Sequence, residues 1–487
     1  MDRLNSYRIY EKLKSLFGPL HRACLMTSEF ELLYVKPESL ADIGTLPLAS
    51  EVSHKYLHLR DGDITITNDP YSGGTVVCSP TLVMGVGTRT TKNKSAPAEL
   101  LVASRLTFVA KVGPANTIDD EGLRIPPSPY FSNGMPNPTI VDALKSHPLL
   151  PADFFPRIEA EIAQLLKLRA RLKDELRKEN FSRTQWRHYL RDCEQAFHSR
   201  LDELPEGVGT SEIDVSGKES IRLKAEIRDG HIFLDFTGTT AGQTLFMTDS
   251  ATIGAAVGTF LSLLKSDIPI NMGVLSRFEI KAPKGSLVNS SFPRPLYLGH
   301  TDGLNLLANI ISLALYRIDR KLGWAMSGVS HCSLQLIPND GPPWLFSLPT
   351  GLGATSSAPG LDSGFAWRRF SLLAYSIEDL ERRYQIEFVH CGIRAHSGGG
   401  GRFAGGQGAA ESFKILQPVK MSWNYLRPPN RAEGLDGGKS GQDAEIVVQS
   451  ANGQKTILPS VGEQTVQKGD IITLLSGGGG GFGANSE

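Results

Sequence analysis

An α+β protein of more than one domain, closed by a glycine-rich, β-rich C-terminal region, is the fold this sequence predicts. Three observations predict it. Strand-like alternation and helix-like periodicity occupy separate stretches of the chain. At 487 residues the chain exceeds the roughly 250–300 residues at which a single core stops growing. Its 50 glycines gather in clusters, at residues 351–353, 398–408, 434–441 and 477–483. Such clusters mark backbone that turns tightly or approaches a neighbour closely.

The chain opens on MDRLNSYRIYEKLKSLF, whose charged and apolar residues alternate at helical spacing, so an amphipathic helix is predicted and a signal peptide is not. Short strands follow at ITIT (64–67) and LLVASRLTFVA (100–110). These place an α+β domain over 1–150. IEAEIAQLLKLRARLKDELRKEN then carries apolar residues at helical spacing among Glu, Lys and Arg. It predicts one long helix or two in succession within a helical segment, 151–210; its charged faces read as solvated, with a coiled-coil interface as the alternative. A central α+β domain over 211–396 begins with a hairpin, IRLKAEIRDGHIFLDFTG, turned at Asp229-Gly230. Two buried helices follow, in TDSATIGAAVGTFLSLLKSDIPIN and GLNLLANIISLALYRIDRKL. Short strands and glycine turns fill 397–487, and no fixed repeat suggests a solenoid or propeller.

Charge and hydropathy exclude two classes of partner. Lys plus Arg and Asp plus Glu both number 51, so no basic excess is available for a nucleic acid. No apolar stretch reaches the roughly 20 residues of a membrane span. Five scattered cysteines, without CxxC pairs, fit a reducing cytoplasm.

The segment GDITITNDPYSGGT, 62–75, carries the strongest chemical signal: a strand delivers Asn68 and Asp69 into a Pro-Tyr-Ser-Gly-Gly turn. Polar side chains at a strand end suit a site, and the same residues suit an Asx turn in which Asp69 caps local amides. With EGLRIPP (121–127), LDFTGTTAGQ (234–243), LLKSDIPINMGVL (263–275), PKGSLVN (283–289), SGGGGRFAGGQG (397–408) and the final GGGGGFG, this run resembles the hydantoinase B/5-oxoprolinase family. That family includes subunits of acetone and acetophenone carboxylases. The α+β assignment rests partly on this resemblance.

The resemblance implies a B-type subunit of an ATP-dependent amidohydrolase acting on small cyclic amides. Its partner would be a hydantoinase A-like subunit with an actin-like ATPase fold, so ATP is expected on the partner and the assembly is expected to be hetero-oligomeric. It also implies a divalent-metal site in GGTH-x-x-D and a later His-containing stretch. This chain departs there: the His position falls on Val76, the Asp position on Ser79, and ASRLTFVAKVG (103–113) has no histidine. LADIGTLP (40–47) puts Asp42 at another histidine position, and WRRFSLLAYSIEDLE (367–381) also differs from the family. Valine has no donor atom and a serine hydroxyl is a weak one, so no metal is expected on this set.

The remaining polar candidates are Asp42, Asn68, Asp69, Thr75, Arg105 and Asp235, each with a structural role open beside the functional one. His54 and His58, four apart, lack an acidic third ligand, and His331-Cys332 and His390-Cys391 are neighbours in sequence only. Without a GxxxxGK[ST] run, the polyglycine tail gives no reason to expect a nucleotide or other cofactor on this chain. Three readings follow: a cyclic-amide amidohydrolase subunit, a catalytically degenerate structural or regulatory subunit, and a subunit of an ATP-dependent ketone carboxylase.

Overall fold

The computed structural model describes residues 2–87, 96–132, 134–178, 183–339, 341–364, 376–427, 429 and 431–484. Within it, helices and four sheets make a mixed α+β architecture, as the sequence predicts. Most of the divergent run 367–381 lies outside the described residues.

The first sheet is antiparallel, in the order Leu32–Lys36, Ala23–Thr27, Leu100–Arg105, Thr81–Val86, Ile64–Thr67, Ser128–Ser132, Met135–Pro136. Its central strands are buried on both faces, because helices cover both. Alternation sorts their side chains: Leu25, Leu82 and Val102 face Asp2–Leu16, Phe154–Lys178 and Arg183–Leu201, whereas Cys24, Val83 and Leu101 face Asp42–Leu57. The predicted long helical stretch is thus two helices. Its apolar stripe, Ile158, Ile162, Leu165, Leu168, Leu172 and Leu176, is buried against this chain's own sheet, which leaves no seam for a coiled-coil partner. The strand predicted over 100–110 stops at Arg105, where the backbone leaves the sheet.

The predicted hairpin forms from Ser220–Arg228 and His231–Asp235, flanked by Gly207–Asp214 and, in parallel, Phe278–Lys281. Helices Asp249–Leu263 and Leu304–Tyr316 build the core above it. Helix Asp249–Leu263 crosses Asp42–Leu57 at two glycines: a Cβ on Gly44 would stand 2.0 Å from the Ser250 carbonyl oxygen, and one on Gly254 would stand 2.7 Å from the Gly44 nitrogen. Only glycine allows this approach.

Two further sheets enclose a third core. One runs Trp344–Phe346, Ser333–Ile337, Val419–Asn424, Val461–Val466; the other runs Ile386–Ile393, Ala409–Ile415, Ile471–Leu475, Glu445–Gln449, Lys455–Ile457. Beyond Leu475 the glycine run threads between segments far away in sequence: a Cβ on Gly478 would meet the Ser397 carbonyl at 2.0 Å, and one on Gly479 the Leu352 carbonyl at 2.1 Å. Among the described residues no helix is long and apolar enough to cross a membrane.

Candidate functional site

Two of the sequence candidates, Asp42 and Arg105, are brought together, and a third residue, Arg22, joins them. Asp42 is the first residue of its helix, Arg105 the last of its strand, and Arg22 precedes the strand Ala23–Thr27. Arg22 grips Asp42 with both ends of its fork, Nη2 to Oδ1 at 2.6 Å and Nε to Oδ2 at 2.9 Å. Arg105 Nη1 donates to the same Oδ1 at 2.9 Å. Every remaining bond is internal: Arg105 donates to the Thr81 and Thr45 hydroxyls, both at 2.7 Å, and to the Gly73 carbonyl at 2.5 Å. Arg22 donates to the Thr107 hydroxyl at 2.8 Å, and Asp42 also accepts from the Ser39 amide at 2.9 Å.

Burial alone would raise the Asp42 pKa, but the charges of Arg22 and Arg105 outweigh it and hold the carboxyl below its ordinary value. Arg105 bears the burial cost and falls to about 10, since Arg22 partly opposes the help of Asp42. The cluster is a buried, internally bonded ion triad with one positive charge in excess.

The conspicuous turn is likewise occupied by its own structure. Asn68 donates to the carbonyls of Val77 (2.6 Å) and Leu123 (2.8 Å) and accepts from the Ile125 amide at 2.5 Å. Asp69 caps Pro70–Ser72 by accepting from the Tyr71 amide and the Ser72 hydroxyl, and it meets Arg124 at 3.3 Å. That is the Asx-turn arrangement. Thr75 differs: it is buried and its hydroxyl has no partner. Asp235 lies elsewhere, at the end of the hairpin, bonded to the Thr237 amide and Lys281.

The positions where the resemblance places metal ligands do not fit a metal. Val76 packs with Ala110, Val112 and Tyr297. Ser79 is buried and its hydroxyl donates weakly, at 3.4 Å, to Thr107, and Asp42 is held by two guanidinium groups. Burial pushes the Cys78 thiol up to about 12, far from a thiolate. Among the described residues no group of three or more His, Cys, Asp or Glu could hold a metal ion. His54 stands edge-on to Phe30 and His58 takes the left-handed C-cap of its helix. His331 is held by the Leu348 carbonyl and Asn305, both at 2.8 Å, while the Cys332 thiol turns to the Leu475 carbonyl.

Three residues outside the predicted set have the chemistry of a site. His300 sits in a π-helical turn, Gly299–Gly303, of a kind often found at functional sites. Both its ring nitrogens lack partners, and burial, with the charges of Arg105 and Arg22, lowers its pKa to about 3. Two residues on, burial raises Asp302 to about 6 although its carboxylate accepts from Ser330 (2.7 Å), Leu426 (2.8 Å) and His331 (3.1 Å). Glu121 places Oε1 at 2.8 Å from the amides of both Leu296 and Tyr297, while Oε2 is buried and unpartnered; burial pushes this carboxyl up to about 7. It lines a shallow cleft of about 10 Å³, room for little more than one water molecule, walled by residues 111–115, Asp120, Tyr297 and Asn424. EGLRIPP was a visible signal in the sequence and GHTDG was not singled out there, and neither run shows which polar atoms remain open after folding.

Comparison with known proteins places this architecture. The family model described as Hydantoinase B/oxoprolinase matches residues 21–485. An uncharacterized protein of Methanocaldococcus jannaschii is 26% identical over 95% of this chain and 84% of its own length. The B-type chain of a putative D-/L-hydantoinase of a Pseudomonas species is 24% identical over 74% of this chain and 65% of its own. The chain spans only 22% of the 5-oxoprolinase of Dictyostelium discoideum, at 25% identity. Its fold is that of the ATP-dependent caprolactamase of Pseudomonas jessenii, with a TM-score of 0.86 at 16% identity, covering 99% of this chain and 91% of that one. The nucleotide-free structure of an acetone carboxylase follows, with a TM-score of 0.79 at 15% identity, covering 95% and 71%.

Proposed function

The chain belongs to the hydantoinase B/oxoprolinase family, and from that premise we propose that it is the B-type subunit of an ATP-dependent amidohydrolase acting on small cyclic amides. The observation that carries this reading is the family match from residue 21 to residue 485. A B-type hydantoinase chain among the relatives and a caprolactamase among the structural neighbours support the partner and the substrate class. In this scheme an A-type ATPase subunit holds ATP, and phosphorylation of the amide oxygen makes the ring carbon electrophilic. In this reading the chain contributes groups that stabilise developing charge. The five cysteines are free, which suits a reducing, cytoplasmic compartment.

A specific observation favours a second reading, a catalytically degenerate structural or regulatory subunit: Val76, Ser79 and the triad-bound Asp42 stand where ligands are expected. Under the first reading the chain therefore works without a divalent metal on that set. The likeness to acetone carboxylase keeps ketone carboxylation as a third.

One experiment separates them. The chain is copurified with an A-type subunit, its metal content is measured, and ATP hydrolysis is assayed with hydantoin, 5-oxoproline, caprolactam, or acetone plus bicarbonate. Stimulation by a cyclic amide without stoichiometric metal is the expected result. A complex that forms but is stimulated by none of them establishes the structural role, and stimulation by acetone alone establishes the carboxylase.

A further inference from the structure

The loop between strands Glu445–Gln449 and Lys455–Ile457 runs from Ser450 to Gln454 and carries the pair Asn452-Gly453, exposed at its tip. Backbone bonds fix its shape: the Ser450 amide donates to the Gln454 carbonyl at 2.9 Å, and the Gly453 amide donates to the Ser450 carbonyl at 2.8 Å. Gly453 takes the left-handed conformation, with φ of 89°, that closes the turn. The Asn452 side chain folds forward over the same turn, where its Oδ1 accepts from the Gln454 amide at 3.0 Å.

This arrangement favours attack of the Gly453 nitrogen on the Asn452 carboxamide. The bond from Gln454 holds the carboxamide against the backbone that follows it and polarises its carbonyl, as an oxyanion donor does. The attacking nitrogen belongs to a glycine, so no Cβ stands beside it, and even an added Cβ would meet nothing within 4 Å. The nitrogen that must leave sits on an exposed side chain. Elsewhere that nitrogen is held: Asn68 Nδ2 donates to the carbonyls of Val77 and Leu123, Asn289 Nδ2 to Ala282, Asn305 Nδ2 to Val329 and Asn309 Nδ2 to Ser327. Those asparagines precede Asp69, Ser290, Leu306 and Ile310, whose side chains hinder the approach.

We propose that Asn452 is a site of spontaneous covalent modification, at which the turn deamidates through a cyclic imide and so loosens the edge of the five-stranded sheet. The Gly453 nitrogen forms a bond to Asn452 Cγ and gives up its proton; the Cγ–Nδ2 bond breaks, and ammonia leaves with that proton. Water then opens the ring. Hydrolysis at Cγ leaves aspartate, and hydrolysis at the main-chain carbonyl leaves isoaspartate, whose backbone runs through the former side chain. One water is consumed and one ammonia released. Either product sets a new carboxylate close to Asp470, whose Oδ1 accepts from the Ala451 amide at 3.1 Å. Isoaspartate also adds a methylene to a loop that fixes the register of Gln449 with Lys455, Val448 with Thr456 and Val447 with Ile457. Lys455–Ile457 is the outermost strand of its sheet among the described residues, so this pairing is what holds it.

The test is incubation of the purified full chain at physiological temperature, followed by peptide mass spectrometry with fragmentation that separates isoaspartate from aspartate. The expected result at pH 8 is conversion at Asn452 about tenfold or more faster than at Asn68, Asn289, Asn305 or Asn309, with isoaspartate among the products. The rate should be lower at pH 6, because the attacking nitrogen must lose its proton. Gly453→Ala, which sets a methyl beside the nucleophile, and Asn452→Gln, which would need a larger ring, should each slow conversion by about tenfold or more. Asn452→Gln keeps the glycine that closes the turn, so it separates ring chemistry from backbone strain. Amides of Lys455–Ile457 should exchange hydrogen faster in the incubated wild type and not in incubated Asn452→Gln. Conversion no faster at Asn452 than at the four held asparagines, or aspartate as the sole product, overturns the modification site. Unchanged exchange at Lys455–Ile457 in chains that contain isoaspartate overturns the loosening.

Discussion

Asp42 neutralises one of two buried guanidinium groups and fixes both, so its charge matters more than its shape. Asp42→Asn keeps the outline and loses the charge, leaving Arg22 and Arg105 uncompensated in a site from which water is excluded. Loss of one partner from such a pair costs about 3–5 kcal/mol, and a correspondingly lower melting temperature of the purified variant is expected. Replacing all three charged residues by apolar ones of similar volume should cost far less. The asymmetry distinguishes a structural ion triad from a vacated metal site, where Asp42→Asn would matter little. From sequence, Asp42 was identifiable as a candidate because it stands at a histidine position of the resembling family, and Arg105 because it is one of the polar residues remaining in the matching region. Arg22 was not, since nothing in SLADIG or HRACLM shows that these segments face each other. Asn68 and Asp69 were the most conspicuous residues in the chain, and they hold the turn together.

At the scale of elements, the crossing of Asp42–Leu57 and Asp249–Leu263 depends on Gly44 and Gly254. Alanine is the better helix former by about 1 kcal/mol, so propensity alone predicts that Gly44→Ala stabilises. The opposite is expected, because the new methyl meets the Ser250 carbonyl at 2.0 Å and forces the helices apart. A net loss of about 1–3 kcal/mol, typical of overpacking, should appear as a lower midpoint in urea unfolding. Helices and hairpins were the most legible features of the sequence, because a periodicity of 3.6 or of 2 is local. The end of the strand at Arg105 was not legible: LTFVA continues the apolar character, but Phe108 and Ala110 pack outside the sheet. Glu121 escaped for the reason that makes it informative, since its partners are backbone amides more than a hundred residues away.

At the scale of the molecule, the turn Gly299–Gly303 stands where the three cores approach one another. His300 feels the charges of Arg22 and Arg105 beside the first, while Asp302 holds Ser330 and the amide of Leu426, a residue of the second that follows Tyr425 of the third. His300 is neutral when folded, with a pKa lowered to about 3, whereas unfolded histidine titrates near 6.5. Below pH 6.5 the unfolded chain therefore binds a proton that the folded chain refuses. The stability contributed by neutral burial is complete above 6.5 and declines as pH falls toward 3. Between pH 6.5 and 4.5 the wild type should lose about 2–3 kcal/mol more than His300→Gln, measured as the difference in their thermal midpoints at the two pH values.

The glycine run beyond Leu475 has a consequence in time as well as in space. Its backbone rests on Gly328, Leu352, Ser397, Gly405 and Glu433, so this segment finds its place only against stretches as much as about 150 residues away in sequence. Loop-closure entropy is lost before any of those contacts forms. Refolding of this chain from urea should therefore show a slow final phase, and a single methyl group at Gly479 should lengthen it, since it obstructs the last segment to enter.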